Sequence, residues 1–309
     1  MTSSTITALK ATRPSQGAAA VVLVWAVATA LVPHQAKAGE RLLGTWGVQQ
    51  VEGAGGGGLT PWATITGTGS SDQVGGSVVS TYASTQDDYQ LRVVGAGIGI
   101  NNRVELSMAH WSFKISPKVV DHELNMNVVG VKVRVTGDAV YDQDTWMPQI
   151  SVGAQYKMAS DHSLFAVLNT ANGIGIRRDE DLDLYVSATK VWLGALAGRN
   201  VLANATLRWT RANQFGLLGF GGADEGSHTL QIEASLGVML RDNLVLGAEY
   251  RTKPDNFSVP GFEEEAAWDV FAAWFPQRNV SFTAAWLDLG NIVTQKKQHG
   301  LYLSGQVVF

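Results

Sequence analysis

Alternation with a period of two is the feature that most restricts this chain. From Thr229 to Leu240, Leu230, Ile232, Ala234, Leu236, Val238 and Leu240 share one parity; Thr229, Gln231, Glu233, Ser235, Gly237 and Met239 share the other. Successive side chains of a strand point to opposite faces, so this segment predicts a strand with one apolar and one polar face. Gln149 to Met158 repeats the pattern, and Val129, Val131, Val133 and Val135 alternate with Gly130, Lys132 and Arg134. A helix would place apolar residues three and four apart, and these segments do not. The last ten residues alternate too, and the chain ends on Phe309. Leu301, Leu303, Val307 and Phe309 are expected to face lipid, with Ser304 and Gln306 facing a lumen.

The start of the chain predicts export. Lys10 and Arg13 precede an apolar run from Gly17 to Val32, and Ala36-Lys37-Ala38 supplies a small-residue cleavage pattern before Gly39. Residues 1–38 therefore read as a signal peptide, and the domain as residues 39–309. Without Lys10, Arg13 and Lys37 the 23 basic residues become 20 against 27 acidic, a net charge of −7. That balance argues against nucleic acid as a partner. The chain has no cysteine, so a disulfide-stapled exported domain is excluded. Charged residues make up 16%, below the roughly 25% of soluble domains, as expected when half of each strand meets lipid.

The expected fold is an all-β antiparallel transmembrane barrel of about 14 strands, with 12 as the alternative. Strands are placed at 41–51, 61–69, 73–84, 89–100, 103–115, 129–135, 149–158, 182–192, 201–211, 229–240, 244–253, 266–275, 280–289 and 300–309. The last is expected to pair with residues near 41–51. Asn101-Asn102, Arg241-Asp242-Asn243 and Pro276-Gln277-Arg278-Asn279 read as tight turns on the periplasmic side. Longer links at 116–124, 159–181, 212–227, 254–265 and 290–299 then lie outside. Most of the nine tryptophans beyond residue 38 fall near strand ends, where an interfacial girdle would sit.

Charges on the polar parity are candidate lumen residues: Lys132, Arg134, Arg208, Glu233, Glu249 and Arg251. On the lipid face a mid-bilayer Arg or Lys costs about 2–4 kcal/mol. Their mixed signs suit either a selectivity patch or a salt-bridged interior that keeps the barrel shut. Gly55, Gly56, Gly57 and Gly58 sit in a run followed by Leu59 and Thr60, not the Lys and Ser or Thr of a phosphate loop. They are expected to give close packing or a lumen plug. Asp179, Asp181 and Asp183 are the calcium candidate, since carboxylate oxygens suit that ion. Asp87-Asp88, Asp121-His122 and Asp161-His162 are adjacent pairs, which a strand would split between faces, so a protease cleft is disfavoured. For a Ser-His hydrolase, His110, His228 and His299 are available, but no spacing singles out a serine. No catalytic residue or cofactor is assigned.

Two resemblances add to this reading. The aromatic ending, with Tyr302 and Phe309, resembles the terminal assembly signal of Gram-negative outer-membrane barrels, which implies the barrel-assembly machinery as a partner. Leu42-Leu43-Gly44-Thr45, Val51-Glu52-Gly53 and the GGGGLTPW stretch resemble an uncharacterised family of predicted outer-membrane proteins, a domain of unknown function. Asn102-Arg103-Val104-Glu105-Leu106-Ser107 and Ala188-Thr189-Lys190 are similar to it as well. The resemblance implies an outer-membrane barrel and carries over no activity; outer-membrane lipid and lipopolysaccharide are expected partners. The expected function is a channel or transporter for small solutes. The alternatives are a closed structural or interaction barrel acting through its outer loops, and a membrane-embedded hydrolase.

Overall fold

A computed structural model describes residues 41–117, 122–257 and 259–309. The expected leader over 1–38 and Asp121 of the Asp121-His122 pair lie outside these residues. Two short strands come first, β1 (Val48–Gln49) and β2 (Gly55–Gly56). Next are β3 (Val74–Thr85), β4 (Gln90–Ile100), β5 (Val104–Lys114), β6 (Glu123–Thr136) and β7 (Gln149–Ala159). Helix α1 (His162–Asn172) precedes β8 (Glu180–Leu196), β9 (Arg199–Thr210), β10 (Thr229–Arg241), β11 (Leu244–Arg251), β12 (Ala267–Gln277), β13 (Val280–Asp288) and β14 (His299–Val308).

Strands β3 to β14 form a closed antiparallel barrel of 12, each paired with its sequence neighbour. Closure joins β14 to β3, with Gly305 opposite Ser80 and Val308 opposite Ser77. Every wall strand thus has a partner on both sides, which lipid demands because it offers no hydrogen bonds. The face polarity is the reverse of a soluble sheet. On β10, Leu230, Ile232 and Leu236 are 63%, 55% and 56% exposed on the outside, while Gln231, Glu233 and Ser235 are buried within. Only an apolar surrounding makes that arrangement favourable.

The count of 12 matches the alternative and corrects the expectation of 14. Segments 41–51 and 61–69 are not wall strands, and β14 pairs with Val74–Thr85 instead of residues near 41–51. A wall strand must offer lipid an apolar side chain at every second position. The Gly53–Gly58 stretch offers almost none, and Pro61 lacks a ladder donor. The segment turns inward instead. Every residue from Thr45 to Gly69 is buried, and β1 and β2 form a small hairpin inside the barrel.

Both ends of the wall lie at one rim, where Phe309 and Gly76 exchange backbone hydrogen bonds of 2.7 and 2.9 Å. The tight turns share this rim; Asn101 and Asn102 adopt φ of 53° and 48°, which asparagine tolerates. The 137–148 link is the longer exception there. Most of the long links, with α1, cluster at the opposite rim. Trp192, Trp209, Trp268, Trp274 and Trp286 point outward, but Trp46, Trp62 and Trp111 are buried inside, so the tryptophans are not all girdle residues. On the outward parity of β14, Leu301, Leu303 and Phe309 are exposed while Val307 is buried.

Candidate functional site

The lumen is occupied by residues 45–69, and the wall grips this plug polar group by polar group. Lys132 pairs with Glu105 at 3.0 Å and donates to the Gly55 carbonyl at 2.8 Å. The Glu105 carboxylate accepts from Gly55 N at 2.8 Å and Thr66 N at 2.7 Å. Glu249 accepts from Leu59 N at 2.8 Å, Thr60 Oγ1 at 2.7 Å and Ser235 Oγ at 2.8 Å. The glycines allow this approach. A Cβ on Gly56 would come to 2.7 Å from Trp62 N and 2.8 Å from Pro61 Cα, and one on Gly57 would collide with the Glu249 carboxylate.

At the centre lies Glu52, fully buried. Its carboxylate meets Lys157 at 2.5 Å, Arg251 at 2.9 Å and Arg208 at 3.3 Å. Two wall carboxylates complete the set. Asp183 lies 2.7 Å from Lys157 and 3.3 Å from Arg208; Glu233 pairs with Arg208 directly and with Arg251 at 3.4 Å. Three cations face three carboxylates, so the cluster is neutral. Buried charges survive in such a setting only when each is paired. Glu52 is the one member from the plug, so the cluster is also the joint between plug and wall.

Between the plug and the long-loop rim lies an apolar cavity of about 140 Å³. Val51 and Leu59 of the plug form its floor, and Trp111, Phe113 and Leu124 part of its wall. Leu164 and Leu168 of α1, Phe215 and Ile292 roof it. Trp111 Nε1 donates to the Val51 carbonyl at 2.6 Å, tying wall to floor. Phe215 packs against Trp111 with ring centroids 6.5 Å apart, and the Arg251 guanidinium lies 4.5 Å over the Phe215 ring. Gln214 and Phe215 have φ of 44° and 64°, a left-handed backbone that costs free energy at non-glycine residues. Surrounding contacts hold them there. Gln214 N donates to Glu264 at 2.8 Å, and Lys253 donates to Gln214 Oε1 at 3.1 Å and sits 3.6 Å from Glu264.

A sequence model for proteins of unknown function, DUF3034, matches residues 45–306, which takes in the plug and nearly all of the wall. The chain belongs to the DUF3034 family. No curated protein matches it. Among solved structures, the KdgM porin is 9% identical over 75% of this chain and 99% of its own, with a TM-score of 0.47. The COG4313 outer membrane channel from Pseudomonas putida F1 is 12% identical over 81% and 97%, TM-score 0.42. The outer membrane phospholipase A from Escherichia coli is 7% identical over 75% and 92%, TM-score 0.43. These similarities are too low to carry a function to this DUF3034 chain.

Of the charges named from the sequence, Lys132, Arg208, Glu233, Glu249 and Arg251 all point into the lumen against the plug or its ionic joint. Arg134 does not join them; it pairs with Asp138 at 3.0 Å at the turn rim. Gly55 to Gly58 lie inside the barrel. Tyr302 points inward at Gly58, while the Phe309 ring lies over Gly76. The aspartate trio does not converge. Asp179 pairs with His162 at 2.5 Å, Asp181 with Arg211, and Asp183 with Lys157. Among the described residues no group of three or more metal-ligating side chains comes together.

The dipeptide pairs are spoken for in other ways. Asp87 accepts from Gln298 at 2.7 Å; Asp161 caps α1 through Leu164 N at 2.9 Å and contacts His122. His228 stacks on Trp209 at 4.4 Å, and His299 lies 3.1 Å from Asp288. His110 Nδ1 meets Asn127 Oδ1 at 2.8 Å on the outside of the wall. Sequence reasoning missed Glu52, Glu105 and Lys157 as joint residues. Lys157 and Glu105 sit on the polar parity of their strands and were findable by alternation. Glu52 lies in no wall strand, so no periodicity marked it.

Proposed function

We propose that this protein is an outer-membrane conduit for small solutes, closed at rest by residues 45–69 and opened when that segment shifts. The turn rim faces the periplasm and the long loops face outward. The observation that carries the reading is the cavity's position: an apolar chamber rests directly on the plug, between it and the outer loops. A purely structural barrel has no use for a chamber at that point. The neutral ionic joint supports it too, since Glu52 can leave its three cations only when something offsets the loss. Arg208 and Arg251 would then line the opened path and bias its ion selectivity.

The absence of cysteine makes a clean test available. Thr66 of the plug and Ser77 of β3 have hydroxyls 2.7 Å apart, so a Thr66→Cys/Ser77→Cys pair lies within bridging range. Solute flux into vesicles should be lost when this pair is oxidised and return on reduction. Equal flux in both states, or no flux of any solute through the unmodified protein, would refute the plugged-conduit reading.

One observation favours a second reading, a lipid hydrolase on the outer wall. His110 and Asn127 form a base-and-orienter pair facing outward, and Ser112 lies two residues along the same face. Ser112 Oγ donates to Glu123 at 2.8 Å, so attack would require it to rotate toward His110. Labelling by a fluorophosphonate that disappears in Ser112→Ala would support this reading, and an unlabelled protein would end it.

A further inference from the structure

Resting on the conduit reading, we propose that the cavity above the plug is a binding site for an uncharged, ring-sized apolar molecule carrying one hydrogen-bond donor. Barrel interiors are ordinarily polar, because they hold water or a polar plug. This chamber departs from that rule, with its floor, wall and roof built from apolar side chains of the plug, β5, β6, α1 and two loops. Its volume of about 140 Å³ is close to the roughly 150 Å³ at which an apolar cavity stays dry and takes up benzene. Water gains little there, and hydrated ions and sugars are too polar to be stripped of their shells inside it.

A second, independent observation specifies the polar end of the ligand. Asp269 on β12 lines the cavity, is only 6% exposed, and its Oδ1 has no hydrogen-bond partner. Tyr302 lines the same cavity with its hydroxyl buried. Buried polar atoms are almost always satisfied, and the exceptions call for a physical reason. Across the ladder from Asp269 stands Glu249, already satisfied by Leu59 N, Thr60 and Ser235. Asp269 is therefore the acceptor left over. A hydroxyl on an aromatic ring would meet it while the ring fills the apolar space. An ammonium would have to lose its hydration within an apolar lining, which disfavours a charged amine. A few convergent polar groups in an otherwise apolar pocket are the usual form of a small-molecule site.

The test uses the full chain in detergent micelles, titrated with p-cresol, toluene and benzylamine and followed by calorimetry. Cresol should bind the unmodified protein at least about tenfold more tightly than toluene. Asp269→Leu should abolish that preference while leaving toluene binding in place. Ala83→Phe, which projects a ring into the cavity from β3, should weaken both ligands at least about tenfold. Equal binding to the unmodified protein and to Ala83→Phe would overturn the site. Benzylamine binding more tightly than cresol would overturn the uncharged class. Uptake of glucose into vesicles with no aromatic binding would remove this inference and leave the conduit standing. Cresol binding with no flux of any solute would leave the site standing and remove the conduit.

Discussion

Glu52→Gln is the perturbation that bears most directly on the plug. The substitution keeps the size of the side chain and an acceptor for Arg251, but removes one charge from a cluster of three cations and three carboxylates. Lys157 keeps Asp183 at 2.7 Å, and Arg208 and Arg251 keep Glu233, so the uncompensated charge is shared. Breaking a buried ion pair from one side costs about 3–5 kcal/mol, and this sharing places the effect near the lower end, about 3 kcal/mol. At 1.4 kcal/mol per power of ten, the seated-to-displaced ratio of the plug should fall roughly 100-fold. The ladder of the wall is untouched. Planar-bilayer recordings should therefore show a large rise in open time, while the heat-dependent gel shift of a folded barrel persists. Lys157→Met in the same chain restores neutrality and should return part of the closure. An open time equal to that of the unmodified protein, with the barrel intact, would refute the idea that this cluster holds the plug.

Other outcomes follow from the same geometry. Gly56→Val should loosen the plug by about 1–3 kcal/mol, because its Cβ meets backbone atoms of Pro61 and Trp62 that have no room to move; protease cleavage within residues 45–69 should rise. Leu303→Arg, on the outward face of β14, should destabilise the folded barrel by about 2–4 kcal/mol in a urea refolding assay, because it sets a charge against lipid. The outer loops should respond to pH. Burial pushes Glu264 up from 4.5 to about 7, outweighing the Lys253 ammonium that pulls it down, and Asp255 adds to the rise. A carboxyl raised in the folded state contributes stability that is complete below its unfolded value and lost as pH rises through the folded one. Hydrogen exchange at Gln214 and in 252–266 should thus quicken as pH rises through about 7, with Arg251 and Glu265 also near Lys253. Glu264→Gln should flatten the profile.

The wall was legible because its rule is local. Lipid on one side and polar groups on the other force each strand to alternate, so Thr229–Leu240 and Gln149–Met158 declare their faces without reference to any neighbour. The same rule marked Lys132, Arg208, Glu233, Glu249 and Arg251 as inward, and link length sorted most of the connections to opposite rims. It overreached at 41–51 and 61–69, where short alternating stretches imitate strands. Whether such a stretch joins the wall depends on what it can pair with. Here β14 finds a full-length partner in β3, and the glycine-rich segment can pack only where backbone and backbone approach closely. The ionic joint and the cavity were decided by the tertiary structure alone. Glu52 lies about a hundred residues from Lys157 and about two hundred from Arg251 along the chain, and the chamber draws on residues from Val51 to Tyr302. Alternation shows which way a side chain points. Only closure of the barrel around its own amino-terminal segment shows what it points at.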